Sequence, residues 1–162
     1  MRLTTTDDLP FMAPAFLDDM VGGEAGLPKL TEPELRAFRE ERLPELQATG
    51  RLLPLVIVDG DVIVGGASLT NYDPLRERVE IGYWLFLHGR GRGIATRVVR
   101  ALAEHAFHVG VHRVEAVVRP QNEPSIRVLE RAGFTREGVL RSLLRHDGGR
   151  SDAILFSLLP GE

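Results

Sequence analysis

The spacing of apolar residues changes period several times along this 162-residue chain, and each change marks an element. Leu9, Met12, Phe16 and Leu17 follow the cap-type residues Thr6, Asp7 and Asp8, which predicts a helix begun near Asp7 and disturbed by Pro10 and Pro14. Residues 22–28 read as a loop. Thr31-Glu32-Pro33-Glu34 is a capping-box pattern, with proline early enough that its missing N–H does no harm. Leu35, Phe38, Leu43 and Leu46 continue that helix to Gly50, with a kink near Pro44. Residues 52–58 and 62–69 are rich in β-branched side chains and flank Asp59-Gly60-Asp61, a hairpin signal.

Residues 79–87 form a third strand pattern. Ile94, Val98, Leu102 and Ala106 recur every four residues and predict a helix over 94–109, stopped by Gly110. Residues 113–118 read as a strand, and Asn122 can cap a short helix carrying Ile126 and Leu129 and closed by Gly133. A last hairpin joins 134–144 to 153–159 across His146-Asp147-Gly148-Gly149. The order predicts a mixed α/β sheet with a small N-terminal helical section, in one domain over 1–162.

Composition adds exclusions. The chain is 43% apolar and 27% charged, as expected of a globular domain, and its net charge of −3 provides no basic field to gather nucleic acid. No apolar run approaches a membrane span, and the N-terminus lacks the regions of a signal peptide, so a cytoplasmic protein is expected. Without cysteine there are no disulfides, thiolate metal sites or cysteine nucleophiles. His88, His105, His108, His112 and His146 are not spaced as a ligand set, so no metal is expected.

The candidate chemistry lies between the third strand and its helix, in HGRGRGIAT (His88 to Thr96). A glycine-rich turn opening a helix leaves main-chain N–H groups unpaired at the positive end of the dipole, which makes a phosphate socket. A dinucleotide fingerprint needs G-x-G-x-x-G, and neither Gly89-x-Gly91 nor Gly91-x-Gly93 completes it. A P-loop needs a lysine, and the only lysine here is Lys29. Arg90-Gly91-Arg92-Gly93-Ile94-Ala95 satisfies R/Q-x-x-G-x-G/A instead. The bland alternative is an ordinary turn with two solvated arginines.

That pattern resembles motif A of the GCN5-related N-acetyltransferases. The stretches VEIGYWL, GRGRGIAT, RPQNEPSIRVLERAGF and DAILFSL occur in that family's order. Together they are similar to its RimJ/RimL-like, ribosomal-protein-alanine acetyltransferase branch. The resemblance implies a mostly antiparallel sheet of six to seven strands, flanked by about four helices and splayed where acetyl-CoA binds. The opening strand looks shortened.

The resemblance also implies site residues. Arg90, Gly91, Arg92, Gly93, Ile94, Ala95 and Thr96 would hold the pyrophosphate of coenzyme A, mainly through main-chain N–H groups. Tyr83 and Leu85 would meet the pantetheine arm through their main chain, with an N–H there facing the thioester carbonyl, while their side chains read as core. Asn122 would contact the same arm, and Ser125 would lie near sulfur as a proton donor; a helix cap explains Asn122 equally well. Many relatives carry a tyrosine acid where this chain has Leu129. Glu80 would be the base, its alternative being a surface glutamate paired with Arg76 or Arg78. Arg141 and Asp152 match frequent family positions that support the sheet or pocket. His146, Asp147, Asp18 and Asp19 could border the acceptor or simply be solvated.

The function so implied is transfer of acetyl from acetyl-CoA to a primary amine, by direct attack and without a covalent enzyme intermediate. The acceptor could be a protein N-terminus or a small molecule, in a pocket made by the N-terminal helices, the 71–78 loop and the last hairpin. The alternatives are a non-catalytic acyl-CoA-binding module and, against the failed fingerprint, a dinucleotide-dependent oxidoreductase. A homodimer through the C-terminal strands stays open.

Overall fold

The computed structural model describes residues 1–18, 28–146 and 148–162, with His146 described by its main chain alone. Asp19, Asp147 and most of the expected 22–28 loop therefore lie outside the described residues. The elements in order are β1 (Arg2–Leu3), α1 (Leu9–Leu17), α2 (Glu32–Glu41), α3 (Leu43–Ala48), β2 (Leu52–Asp59) and β3 (Val62–Asp73). Then come β4 (Arg78–Leu85), α4 (Ile94–His108), β5 (Arg113–Val118), α5 (Glu123–Ala132), β6 (Thr135–His146) and β7 (Gly149–Leu158). The seven strands form one sheet in the order β1-β2-β3-β4-β5-β7-β6. Every neighbouring pair is antiparallel except β4–β5.

Local chemistry accounts for the N-terminal elements. The Asp8 carboxylate accepts from Thr5 N–H at 2.7 Å and from the Thr5 hydroxyl at 2.9 Å, and the Arg2 guanidinium donates to both its oxygens. Those bonds, the one from Arg2 foremost, hold Asp8 at a pKa of about 2 although it is buried. Thr31 N–H and its hydroxyl each donate to Glu34 at 2.7 Å, the capping pattern expected there. Pro14 sits inside α1 without ending it. The expected kink near Pro44 is instead a break: Arg42 separates α2 from α3, and Pro44 lies in the first turn of α3. An interior proline would remove an i→i−4 bond and clash with the carbonyl one turn back, so restarting the helix costs less.

The strands do not all keep the bounds that the sequence pattern predicts. β3 continues past 69 to Asp73 through an irregularity after Thr70, with Asn71 in the left-handed region at φ 55°. β4 ends at Leu85, where a 3-10 turn (Leu87–Gly89) takes over. β7 begins four residues before the expected Ala153. Side chains alternate across the sheet. Ile57, Val64, Ile81 and Leu85 pack with Val99 and Leu102 of α4, Leu129 of α5 and Phe156 of β7. Val56 and Trp84 face the other way, onto Met12 and Ala15 of α1, and Leu9 and Ala13 pack on Leu35 of α2. The sheet thus lies between two helical layers, with five α-helices among the described residues where about four were expected.

Candidate active site

The site begins where the sheet comes apart. β4 and β5 pair only through Arg78↔Arg113, Val79↔Val114 and Glu80↔Glu115. Beyond these, β4 follows β3 and β5 follows β7. A cleft of about 550 Å³ opens between residues 81–85 and 116–119. The start of α4 and Asn122 and Ser125 of α5 also line it.

The β4 main chain is exposed to this gap. Phe86 N–H donates to Val64 O of β3 at 3.0 Å. Main-chain groups in a strand point to alternate edges, so the N–H and C=O of Tyr83 and Leu85 face away from β3, toward the gap. Leu85 O accepts from Arg90 Nε at 3.1 Å, in line with that alternation.

At the end of the cleft, Gly91 and Gly93 take left-handed conformations, φ 75° and 68°, and Gly93 is the N-cap of α4. A side chain at either would be strained, and a Cβ on Gly91 would point into open space. The first helical N–H met by a carbonyl is that of Arg97, on Gly93 O at 3.2 Å. The amides of Ile94, Ala95 and Thr96 precede it and have no helical carbonyl to meet. Gly91, Gly93, Ile94, Ala95, Thr96 and Arg90 all line the cleft. Arg92 does not: its guanidinium pairs with Asp59 at the end of β2, 2.6 Å away. Arg119, Arg131 and Arg145 line the cleft as well. No local pattern in the sequence marks them, because they come from just past the end of β5, from α5 and from β6.

Asn122 is the N-cap of α5, its Oδ1 accepting from Ser125 N–H at 3.1 Å. The cap uses only the oxygen; Nδ2 has no partner among the described residues, and the residue lines the cleft. Both readings of Asn122 are therefore compatible. Ser125 lines the cleft, and Leu129 is fully buried beside it. The Tyr83 ring packs against the main core as expected, yet its hydroxyl donates to Ser125 O at 3.3 Å. Burial pushes that phenol up to about 12, so it stays protonated.

Glu80 lies at the mouth of the gap and does not line the cleft itself. The surface-pair reading fails, because Arg76 pairs with Asp73 and Arg78 with Glu115 at 2.5 Å. Glu80 Oε2 instead accepts from Asn71 Nδ2 at 3.3 Å. Burial raises the Glu80 pKa and Glu115 adds to the rise, while Asn71 and Arg78 oppose it. Glu115 is neutralised in turn by Arg78 and by Arg113, whose second partner is Glu137.

Asp152 accepts from Ser142 N–H at 2.9 Å, which ties the β6 irregularity to β7, and Arg141 is exposed nearby. Asp18 is exposed just past α1. On the sheet face covered by α1, α2 and α3 lies a second cavity of about 330 Å³, which shares Gly82, Tyr83 and Trp84 with the cleft.

The fold that holds this cleft has counterparts among solved structures. The structure of Mycobacterium smegmatis RimJ in complex with CoA-disulfide superimposes with a TM-score of 0.86 at 30% identity, over 98% of this chain and 80% of that one. The ribosomal-protein-S5-alanine acetyltransferase from Vibrio fischeri superimposes at 0.83 and 28% identity, over 99% and 92%. The uncharacterised N-acetyltransferase p20 of Bacillus licheniformis is 32% identical over 72% of this chain and 66% of its own length. The chain spans less than two thirds of the first curated relatives it matches, 66%, 56% and 58%. The model of the acetyltransferase (GNAT) domain family matches residues 1–135, and the chain belongs to that family.

Proposed function

We propose that this protein is an N-acetyltransferase, working as one domain over 1–162, that transfers acetyl from acetyl-CoA to a primary amine by direct attack. The observation that carries the reading is the parting of β4 from β5 after Glu80, with the open amides of the α4 start at its end. The residues fit coenzyme A: Gly91 and Gly93 let main chain approach the diphosphate, and the N–H groups of Gly91 to Thr96 and the side chain of Arg90 supply donors. Arg92 contributes its main chain, since Asp59 holds its side chain. Tyr83 and Leu85 offer main-chain groups to the pantetheine arm, and an N–H among them stabilises the thioester oxygen as negative charge develops. Asn122 Nδ2 donates to the same arm.

Net transfer from a thioester to an ammonium gives amide, thiol and one proton. An alkylammonium has a pKa of about 10.4, so its proton must leave before attack. Glu80 takes it, directly or through one water, and its raised pKa makes it a better base than an ordinary carboxylate. The nitrogen then bonds to the acetyl carbon as the carbon–sulfur bond breaks, and nitrogen loses a second proton to solvent. Ser125 passes a proton to the departing sulfur and regains one from solvent.

The test is release of free thiol from acetyl-CoA across a panel of peptides and small amines. Amine-dependent release supports the reading. Binding of coenzyme A with no release by any amine would make the protein an acyl-CoA-binding module instead.

A further inference from the structure

The second cavity narrows the acceptor. Its lining comes from α1, α2, α3, strands β2, β3 and β4 and Thr4 just past β1, and among the described residues lining it there is no carboxylate. Leu9, Met12, Phe16, Leu35, Phe38 and Trp84 make its walls. The one charged side chain, Arg39, is committed to Thr4 O at 2.5 Å. A polyamine or aminoglycoside brings several positive charges, and the described lining, which carries no anion, would desolvate them uncompensated. An apolar body meets no such penalty, and about 330 Å³ lies in the size range of about 300–1,000 Å³ for small-ligand sites.

A second observation points to a ligand at the far end. Thr4 lines the cavity and is 7% exposed, yet its hydroxyl has no hydrogen-bond partner among the described residues. Buried hydroxyls are rarely left unpaired; this one has almost no accessible surface, so an occupant bonds it once the side chain turns about χ1 toward the cavity. Thr4 N–H donates to Pro54 O, Pro54 pairs with Ser68, and Ser68 with Gly82. These four residues make one row across the sheet, so Thr4 stands three strand spacings, about 14 Å, from the gap at Gly82.

We propose that this cavity takes the body of the acceptor: a primary amine whose only positive charge is the reacting one, with an aliphatic or aromatic body and a hydrogen-bonding group at its distal end. The amine sits at Gly82, near Glu80 on the same strand face; the apolar body crosses Ser68 and Pro54 beside Trp84; the distal group meets Thr4 Oγ1. This rests on the transferase reading and adds the chemical class of its substrate.

The test is kcat/KM with acetyl-CoA for a set of amines on the wild-type protein and on Thr4→Val and Phe38→Asp. The set is phenylalanyl-leucinamide, hexylamine, methylamine and spermidine. The dipeptide amide and hexylamine should exceed methylamine and spermidine by tenfold or more. Thr4→Val should raise KM for the dipeptide amide about tenfold and leave hexylamine, which has no distal polar group, within twofold. Phe38→Asp should narrow the gap between hexylamine and spermidine at least tenfold. Spermidine at or above the apolar amines, or an equal effect of Thr4→Val on the dipeptide amide and hexylamine, overturns this inference while the transferase reading stands. No turnover with any amine overturns both.

Discussion

Glu80 and Glu115 are the last in-register pair between the parallel strands β4 and β5, side by side where the two strands separate. The arginines divide unequally between them. Arg78 and Arg113 hold Glu115, while among the described residues the Glu80 carboxylate accepts a hydrogen bond only from the amide of Asn71. The sheet thus carries one carboxylate neutralised by arginines and one, the proposed base, without a salt-bridge partner among the described residues at the mouth of the cleft.

Replacing Glu80 by Gln should lower kcat/KM by roughly 10²-fold to 10⁴-fold, the usual contribution of a positioned base. Coenzyme affinity should move little. The same change should affect stability with a definite sign. Because the folded pKa of Glu80 is raised, its stabilising contribution is full below about 4.5 and is lost as pH rises through the folded value. Glu80→Gln should therefore gain Tm relative to wild type at pH 7, and the gain should shrink toward pH 4.

The Arg113–Glu137 pair predicts the opposite dependence. Hydrogen bonds from Arg113 and then Ser157 hold Glu137 at about 2. Its contribution is present above about 4.5 and is lost as pH falls through 2. Glu137→Gln should be less stable than wild type at pH 7, with the difference closing in acid; unfolding monitored against denaturant from pH 7 down to pH 2 measures it. The pair is partly exposed, so solvent screening limits its size.

Ser125→Ala should reduce kcat by no more than about tenfold, since a thiol of pKa about 8.5 leaves tolerably without help. Tyr83→Phe should not reproduce that effect, because the Tyr83 hydroxyl already donates to a main-chain oxygen. Single-turnover rates for the two variants distinguish them.

Arg92 gives a prediction that runs against its place in the motif. With its guanidinium on Asp59, Arg92→Ala should weaken coenzyme A binding less than threefold. Asp59→Asn should strengthen it slightly at low salt by freeing a cation, and added salt should erase the gain. Titrations at two ionic strengths check both.

The features visible in the sequence were those decided locally. Gly93 at the α4 N-cap, Gly133 closing α5, the Thr31–Glu34 cap and β5 over Arg113–Val118 each depend on a few adjacent residues. What was not visible depends on partners far along the chain. Asp59 claims Arg92 across 33 positions, and Tyr83 reaches Ser125 across 42. No periodicity encodes that Arg78 chooses Glu115 over Glu80. The α2–α3 break is half legible: Pro44 reads as a disturbance of one helix, but the same residue in a first turn starts a helix. The three cleft arginines outside the motif, Arg119, Arg131 and Arg145, become neighbours only when the sheet is assembled.

Everything proposed for the site depends on main chain at the start of α4 gripping the diphosphate of coenzyme A. Isothermal titration of coenzyme A into the wild-type protein and into Gly91→Val tests it most directly. Saturable heat at one site per chain, weakened at least tenfold by Gly91→Val while the variant keeps its fold by circular dichroism, is the predicted result. No heat with the wild type, or equal affinity in the folded variant, would contradict it.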